Sequence, residues 1–190
     1  FEMDALPVSP RFFAYRFTDR VARKGECIEV TERYYEQKKS AYVPYAEIPK
    51  AMIDAFVAIE DKRFYEHQGV DWITTVKACM NMFFGGDSQF GGSTVTQQLV
   101  KNLTGDDGVT VQRKVLEIFR AQQFERRYDK DVVMEWYLNT IYLGRGCYGV
   151  RSAAAEYFGK EIQMLTTAEC ASLISISNNP SIFNPFSSTF

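Results

Sequence analysis

One histidine in 190 residues, His67, and four cysteines with no C-x-x-C pair leave little from which to build a zinc site. Cys27, Cys79, Cys147 and Cys170 stand far apart and read as buried free thiols. A disulfide stays open only if the chain faces an oxidising compartment. Charge of one sign is also lacking: 22 Lys and Arg against 24 Asp and Glu give a net charge of −2. That excludes a general nucleic-acid binder and leaves room only for a local basic patch. No apolar run nears the ~20 residues needed to span a bilayer, and no signal-peptide pattern opens the chain. The first residue is Phe1 rather than Met, so the sequence reads as an excised piece. A missing anchor therefore says little about the intact protein. There is no P-loop pattern, internal repeat or low-complexity tract.

What is present is a folding composition, 46% apolar and 15% aromatic, at a length that suits one domain over residues 1–190. Residues 1–41 read as an irregular lead-in with the basic residues Arg20, Arg23 and Lys24, and Cys27 to Tyr35 is the best strand candidate. Beyond it the pattern is helical. Pro49 sits near a helix start. Met52, Phe56 and Glu60 then fall four apart, with Ile53 and Val57 beside them and Phe64 a further turn along if the helix persists. Asp61 points about 100° away from that stripe. Carboxylates on apolar faces hold their proton more tightly and become useful for proton transfer near neutrality. Glu60 is thus either a general base or the solvated end of an ordinary helix.

Gly91-Gly92 breaks the chain before a second helix. There Thr94 and Gln97 have capping-box spacing, with Ser93 as the alternative cap. Gln97 and Lys101 share one face of that helix, and Val95 and Leu99 another. A glycine turn, a hydroxyl-rich helix start and a lysine one turn in can hold an anionic oxygen group, or be a plain capped helix. Between the two segments, Trp72, Ile73, Val76, Met80, Met82, Phe83 and Phe84 are strongly apolar and end in Gly85-Gly86. Ile73 and Val76 suit a core; Met80 to Phe84 suit either a core or a lipid interface.

A long helix is expected over Thr110 to Tyr128, with Val111, Val115, Ile118 and Phe119 as its apolar side and Arg113, Lys114, Glu117, Arg120 and Ala121 on another. Arg113 and Glu117 have the spacing of a common surface ion pair, worth a few tenths of a kcal/mol. Asp129 can cap the next helix, whose inward side is Val133, Trp136, Tyr137 and Ile141. Gly144, Gly146 and Gly149 then make a turn. A helix over Val150 to Phe158 stops at Gly159, and Thr166 and Glu169 repeat the capping box before a last helix, with Pro180 and Pro185 after it.

Two of these stretches, E-D-x-x-F-x-x-H-x-G-V-D (Glu60 to Asp71) and G-G-S-T-x-T-Q-Q-L-x-K-N (Gly91 to Asn102), closely resemble the peptidoglycan glycosyltransferase (transglycosylase) family. This is the lipid II polymerase domain of class A penicillin-binding proteins and of monofunctional glycosyltransferases. R-K-x-x-E at Arg113 to Glu117, Y-L-N-x-x-x-x-G at Tyr137 to Gly144 and G-V-x-x-A-A-x-x-Y-F-G-K from Gly149 extend the resemblance over about Tyr42 to Pro185. One departure is the loop TGDDGVT, which has Asp106 and Asp107 where relatives often carry a basic residue.

The resemblance implies a mainly α, lysozyme-like, two-lobed domain with a membrane-proximal small lobe over residues 72–90. It implies processive, inverting β-1,4 polymerisation of lipid II at the outer face of the bacterial cytoplasmic membrane. Glu60 and Glu117 are then the catalytic candidates. Ser93, Thr94, Gln97, Lys101, Arg113 and Lys114 are the candidates for binding substrate and its diphosphate. No cofactor is required, no metal-binding pattern stands out, and Mg or Mn could share the diphosphate load. The expected partners are lipid II, the growing glycan, the membrane and other cell-wall synthesis proteins, with no nucleic acid. A lysozyme-like glycoside hydrolase and an inactive lipid II-binding scaffold are the competing readings.

Overall fold

The computed structural model describes residues 42–77, 92–104, 110–178, 182–183 and 185–186. All but Tyr42 belong to the compact unit Val43–Phe190. The strand candidate, the lead-in, Cys27, Cys79, Met80 to Phe84 and the loop with Asp106 and Asp107 lie outside the described residues, as does most of the expected small lobe.

A 3-10 turn at Tyr45–Glu47 leads into α1 (Lys50–Glu60), and a helical stretch follows at 72–77. Then come α2 (Val95–Thr104), α3 (Val111–Glu125), α4 (Lys130–Thr140), α5 (Val150–Phe158), a 3-10 turn at Ile162–Met164 and α6 (Thr167–Asn178). Among the described residues the β-type pairing is a single antiparallel bridge between Tyr142 and Tyr148. The domain is mainly α-helical, as expected. No described helix is long and apolar enough to cross a membrane.

Helix α2 packs against α3 and α4, and α1 packs against α6. In α1, Met52, Ile53 and Phe56 are buried, with Pro49 at the N-cap. The helix stops at Glu60 and does not persist to Phe64. Phe64 reaches the core through a turn instead, its N–H donating to Asp61 O at 2.9 Å. In α4, Val133, Met134, Trp136, Tyr137 and Leu138 are buried, and Phe56 meets Tyr137 edge to face at 5.9 Å. Asp129 stands at the α4 N-cap, but its side chain makes no capping bond. The capping box at Thr166 and Glu169 forms as the spacing implies, with Thr166 N–H on Glu169 Oε2 at 2.8 Å and Glu169 N–H on Thr166 Oγ1 at 3.3 Å. These bonds and the Lys160 ammonium bring the Glu169 carboxyl down to about 2, Lys160 contributing most. Cys147 and Cys170 are buried free thiols, and burial pushes both up.

One expectation about which residues face inward fails. Ile73 and Val76, assigned to the core, are exposed, as is Trp72. On α3 the apolar side lies mostly outward. Val111 is 82% exposed and Phe119 59%, with Val115 and Leu116 also out, while Glu117, Ala121 and Phe124 are buried. A charged residue can face inward when it is paired, because paired ions avoid the full desolvation cost of an isolated one. Glu117 is buried here with Arg113 and Lys114 as its partners.

Two turns outside the helices depend on backbone detail. Asp71 opens the stretch at 72–77 by accepting from the N–H groups of Ile73 and Thr74 at 3.0 and 3.2 Å and from Thr74 Oγ1 at 2.8 Å. Burial alone would raise its carboxyl; the Thr74 hydroxyl and N–H and the nearby Arg63 outweigh that and hold it below the usual range. Gly69 has φ of +80°, and a Cβ there would stand 2.5 Å from Ala121 O, a backbone atom of α3. The chain after α1 therefore rests directly on the α3 backbone. Gly69→Ala combines a strained φ with a backbone clash. It should lower unfolding free energy in urea by more than ~1 kcal/mol; an unchanged midpoint would show that the contact with α3 is loose.

Candidate active site

The end of α1 and the start of α2 are joined by one carboxylate. Asp61, the C-cap of α1, is buried. Its Oδ1 and Oδ2 lie 3.1 and 2.9 Å from His67 Nε2, and Oδ2 also accepts the Val95 N–H at 3.0 Å. That N–H belongs to the first residue of α2, where donors lack helical partners and the dipole favours negative charge. The lone histidine is thus a structural partner of Asp61. Next to it, Thr94 and Gln97 form the expected reciprocal cap: Thr94 N–H donates to Gln97 Oε1 at 2.9 Å, and Gln97 N–H to Thr94 Oγ1 at 3.2 Å. Thr94 Oγ1 donates to Gly69 O at 2.7 Å. Both side chains are buried, Gln97 completely, so they build the start of α2.

The start of α2 meets the cations of α3. Lys114 Nζ lies 2.7 Å from Ser93 Oγ and also binds Glu117 Oε1; Arg113 Nη1 holds Glu117 Oε2 at 2.5 Å. Glu117 is 5% exposed, so this is no surface ion pair. Both its oxygens are engaged, and the two cations are fixed beside Ser93. Thr110 Oγ1 accepts the Arg113 N–H at 3.1 Å and caps the helix that presents them. Lys101 lies on the exposed side of α2 in its last turn, one turn beyond Gln98.

Glu60 is half-buried at the end of α1. Its surroundings are more polar than the stripe implies. Gln98 Nε2 donates to Oε2 at 2.9 Å, and Ser177 Oγ lies 3.2 Å from Oε1. Tyr137 OH donates to Gln98 Oε1 at 3.1 Å. The Tyr137 phenol is raised well above its ordinary value, first by burial and then by the charges of Glu60 and Asp61, so it stays a donor. A permanent donor on Oε1 turns the Gln98 amide nitrogen towards Glu60.

A second buried group supports α2 from behind. Thr96 Oγ1 donates to Glu125 Oε1, and Lys130 Nζ pairs with Glu125 Oε2 at 2.6 Å while lying 4.4 Å over the Phe64 ring. Burial lowers the Lys130 ammonium against the pull of Glu125. Asn139, of the Y-L-N segment, ties down the entry to the unit: its Oδ1 accepts Val43 N–H and its Nδ2 donates to Val43 O, each at 2.8 Å.

Sequence reasoning singled out the two glutamates, Ser93, Arg113 and Lys114, and the structure brings Ser93, Arg113, Lys114 and Glu117 together. It passed over Gln98, Tyr137, Ser177 and the Asp61–His67 pair. Only the doubled glutamine at 97–98 and the D and H of the first motif hint at them. Among the described residues no group of three or more His, Cys, Asp or Glu is placed to hold a metal.

The family model described as Transglycosylase matches residues 24–189. The chain is similar to penicillin-binding protein 1F of Bacillus subtilis (strain 168), 43% identical over 157 residues, 83% of this chain and 22% of that protein. It is similar to penicillin-binding protein 1A of Aquifex aeolicus (strain VF5), 44% identical over 149 residues, 78% of this chain and 20% of that one. It is also similar to penicillin-binding protein 1A of Escherichia coli (strain K12), 43% identical over 151 residues, 80% and 18%. The chain spans about a fifth of the length of these curated relatives.

The Tyr137–Gln98 bond has a stability consequence of its own. Tyr137→Phe leaves the Gln98 carbonyl without its donor and should cost ~1–3 kcal/mol in urea unfolding. No loss would mean that the amide turns freely and is not fixed by the phenol.

Proposed function

Because the chain belongs to the transglycosylase family, we propose that it is a peptidoglycan glycosyltransferase that polymerises lipid II into β-1,4 glycan strands. The observation that carries the reading is that α2 gathers both halves of the chemistry. Gln98 holds Glu60, and Ser93, at the other side of the α2 start, meets the Lys114 of the cation cluster.

In the reaction, the 4-hydroxyl of the acceptor GlcNAc attacks the anomeric carbon of the growing chain. The hydroxyl proton passes to Glu60, the new C–O bond forms with inversion, and the bond to the polyprenyl diphosphate breaks. Half-burial leaves Glu60 reachable by a substrate hydroxyl, and a carboxylate has acceptor sites beyond the two in use. Arg113, Lys114 and Lys101 offset the charge that grows on the leaving diphosphate, with Ser93 beside them. Glu117 acts through the cations, since Arg113 and Lys114 occupy both its oxygens. A Mg or Mn ion would offset part of the diphosphate's negative charge, and Glu117, with both oxygens occupied, would not be its ligand.

The same pairing weighs against a glycoside hydrolase. That reaction needs a second carboxyl group free to meet substrate, and Glu117 is closed. An inactive lipid II-binding scaffold has no need of a base held so closely as Glu60. A polyprenyl-linked substrate keeps the work at a membrane surface, which this reading assigns to the outer face of the bacterial cytoplasmic membrane. The exposed apolar residues Val111, Val115 and Phe119 on α3 suit such a surface.

With lipid II in detergent and products resolved by gel, the wild-type protein should yield glycan strands. Glu60→Gln, nearly isosteric, should reduce the rate by ~10²–10⁴; turnover near that of the wild type would remove Glu60 from the mechanism. In the same assay Lys101→Ala should lower kcat and kcat/KM together, as expected for a contact strongest in the transition state. Unchanged kinetics with lower stability would make Lys101 a helix residue only.

A further inference from the structure

The two oxygens of Glu60 have partners of different kinds. On Oε2 the Gln98 amide nitrogen can only donate, and Tyr137 fixes its direction. On Oε1 the partner is the Ser177 hydroxyl at 3.2 Å, brought by the last turn of α6. The same hydroxyl lies 2.7 Å from Ile174 O, in its own helix. A serine hydroxyl carries one proton and can turn, and its oxygen also accepts. It therefore has two acceptors for a single proton.

We propose that Ser177 is a positioning residue that holds Glu60 through both protonation states of the transfer cycle. The inference rests on the reading of Glu60 as the base. With Glu60 ionised, Ser177 O–H donates to Oε1, a charge-assisted bond. Once Glu60 has taken the acceptor's proton on Oε1, the direction reverses. The carboxyl O–H donates to Ser177 Oγ, and the serine proton turns to Ile174 O. Both states are hydrogen-bonded with no movement of the backbone. Gln98 cannot make this exchange, so the two partners differ in what they do. Gln98 fixes the carboxylate, and Ser177 follows its proton.

No charged side chain intervenes in the contacts described. On α1, Asp61 is turned to His67 and the Val95 N–H. On α4, Tyr137 stays protonated. On α6, Glu169 lies two turns away and is bound to Lys160 and Thr166. The competing view is that Ser177 only back-bonds to Ile174, a habit of serines in helices with no bearing on a neighbour.

Three variants of the full chain decide between them. Ser177→Ala should lower kcat for lipid II about tenfold with KM unchanged, the scale of one hydrogen bond to a charged group. Ser177→Thr, which keeps the hydroxyl, should restore most of it. Independently of turnover, the infrared difference between wild type and Glu60→Gln isolates the Glu60 carboxylate band. Ser177→Ala should shift that band without substrate present. Wild-type kcat in Ser177→Ala, or a lowered kcat and melting temperature with the band unmoved, would overturn the proposal. Should Glu60→Gln polymerise lipid II at the wild-type rate, the proposed reaction fails, while the band still reports whether Ser177 holds Glu60.

Discussion

The Asp61 carboxylate is the constraint on which the rest of the site depends. It ends α1, binds His67, and receives the first N–H of α2. A buried carboxylate with fewer donors would be costly. Here it is met by an imidazole and by a helix terminus that needs an acceptor. The consequence is geometric. The end of α1 and the start of α2 are fixed to one atom group, so Glu60, one residue before Asp61, has a set position against α2. Gly69 adds the third support, since its lack of a side chain lets the same segment lie on the α3 backbone.

Helix α3 illustrates how charge can be buried usefully. Its inward line contains Arg113, Lys114 and Glu117 rather than the valines and phenylalanine of its other side. One glutamate holding two cations leaves a net positive group beside Ser93. Such a group is expensive to assemble and would gain from an anion, which is the electrostatic condition a departing diphosphate fulfils. The Glu125–Lys130 pair behind α2 has no such excess charge, and its link to Thr96 suits support of the helix.

The helices were largely legible because their signals are local. Pro49 before α1, the Thr94–Gln97 and Thr166–Glu169 capping boxes and Gly159 after α5 act over three or four residues, and the structure forms all of them. Asp129 is the exception, standing at the cap position without bonding. Periodicity alone carries less than these local signals. The stripe through Met52, Phe56 and Glu60 reaches Phe64 only if the helix persists, and the helix stops at Glu60. On α3 periodicity separates Val111, Val115 and Phe119 from Glu117 and Ala121, and it is the second group that is buried. Periodicity finds two faces of a helix but does not contain the neighbour that decides which is covered.

By itself the sequence determined the helical class, the start and stop of most helices, and the motif pattern that places the chain in its family. These are properties of short windows, set by backbone sterics, capping and residue order. Only the tertiary structure decided what surrounds Glu60. Gln98 comes from 38 residues away, Tyr137 reaches that glutamine across another 39, and Ser177 arrives from 117 residues beyond Glu60. No local rule links such positions. They meet because α1 packs on α6 and α2 packs on α4, and it is packing that turns a glutamate at a helix end into a carboxylate held at both oxygens.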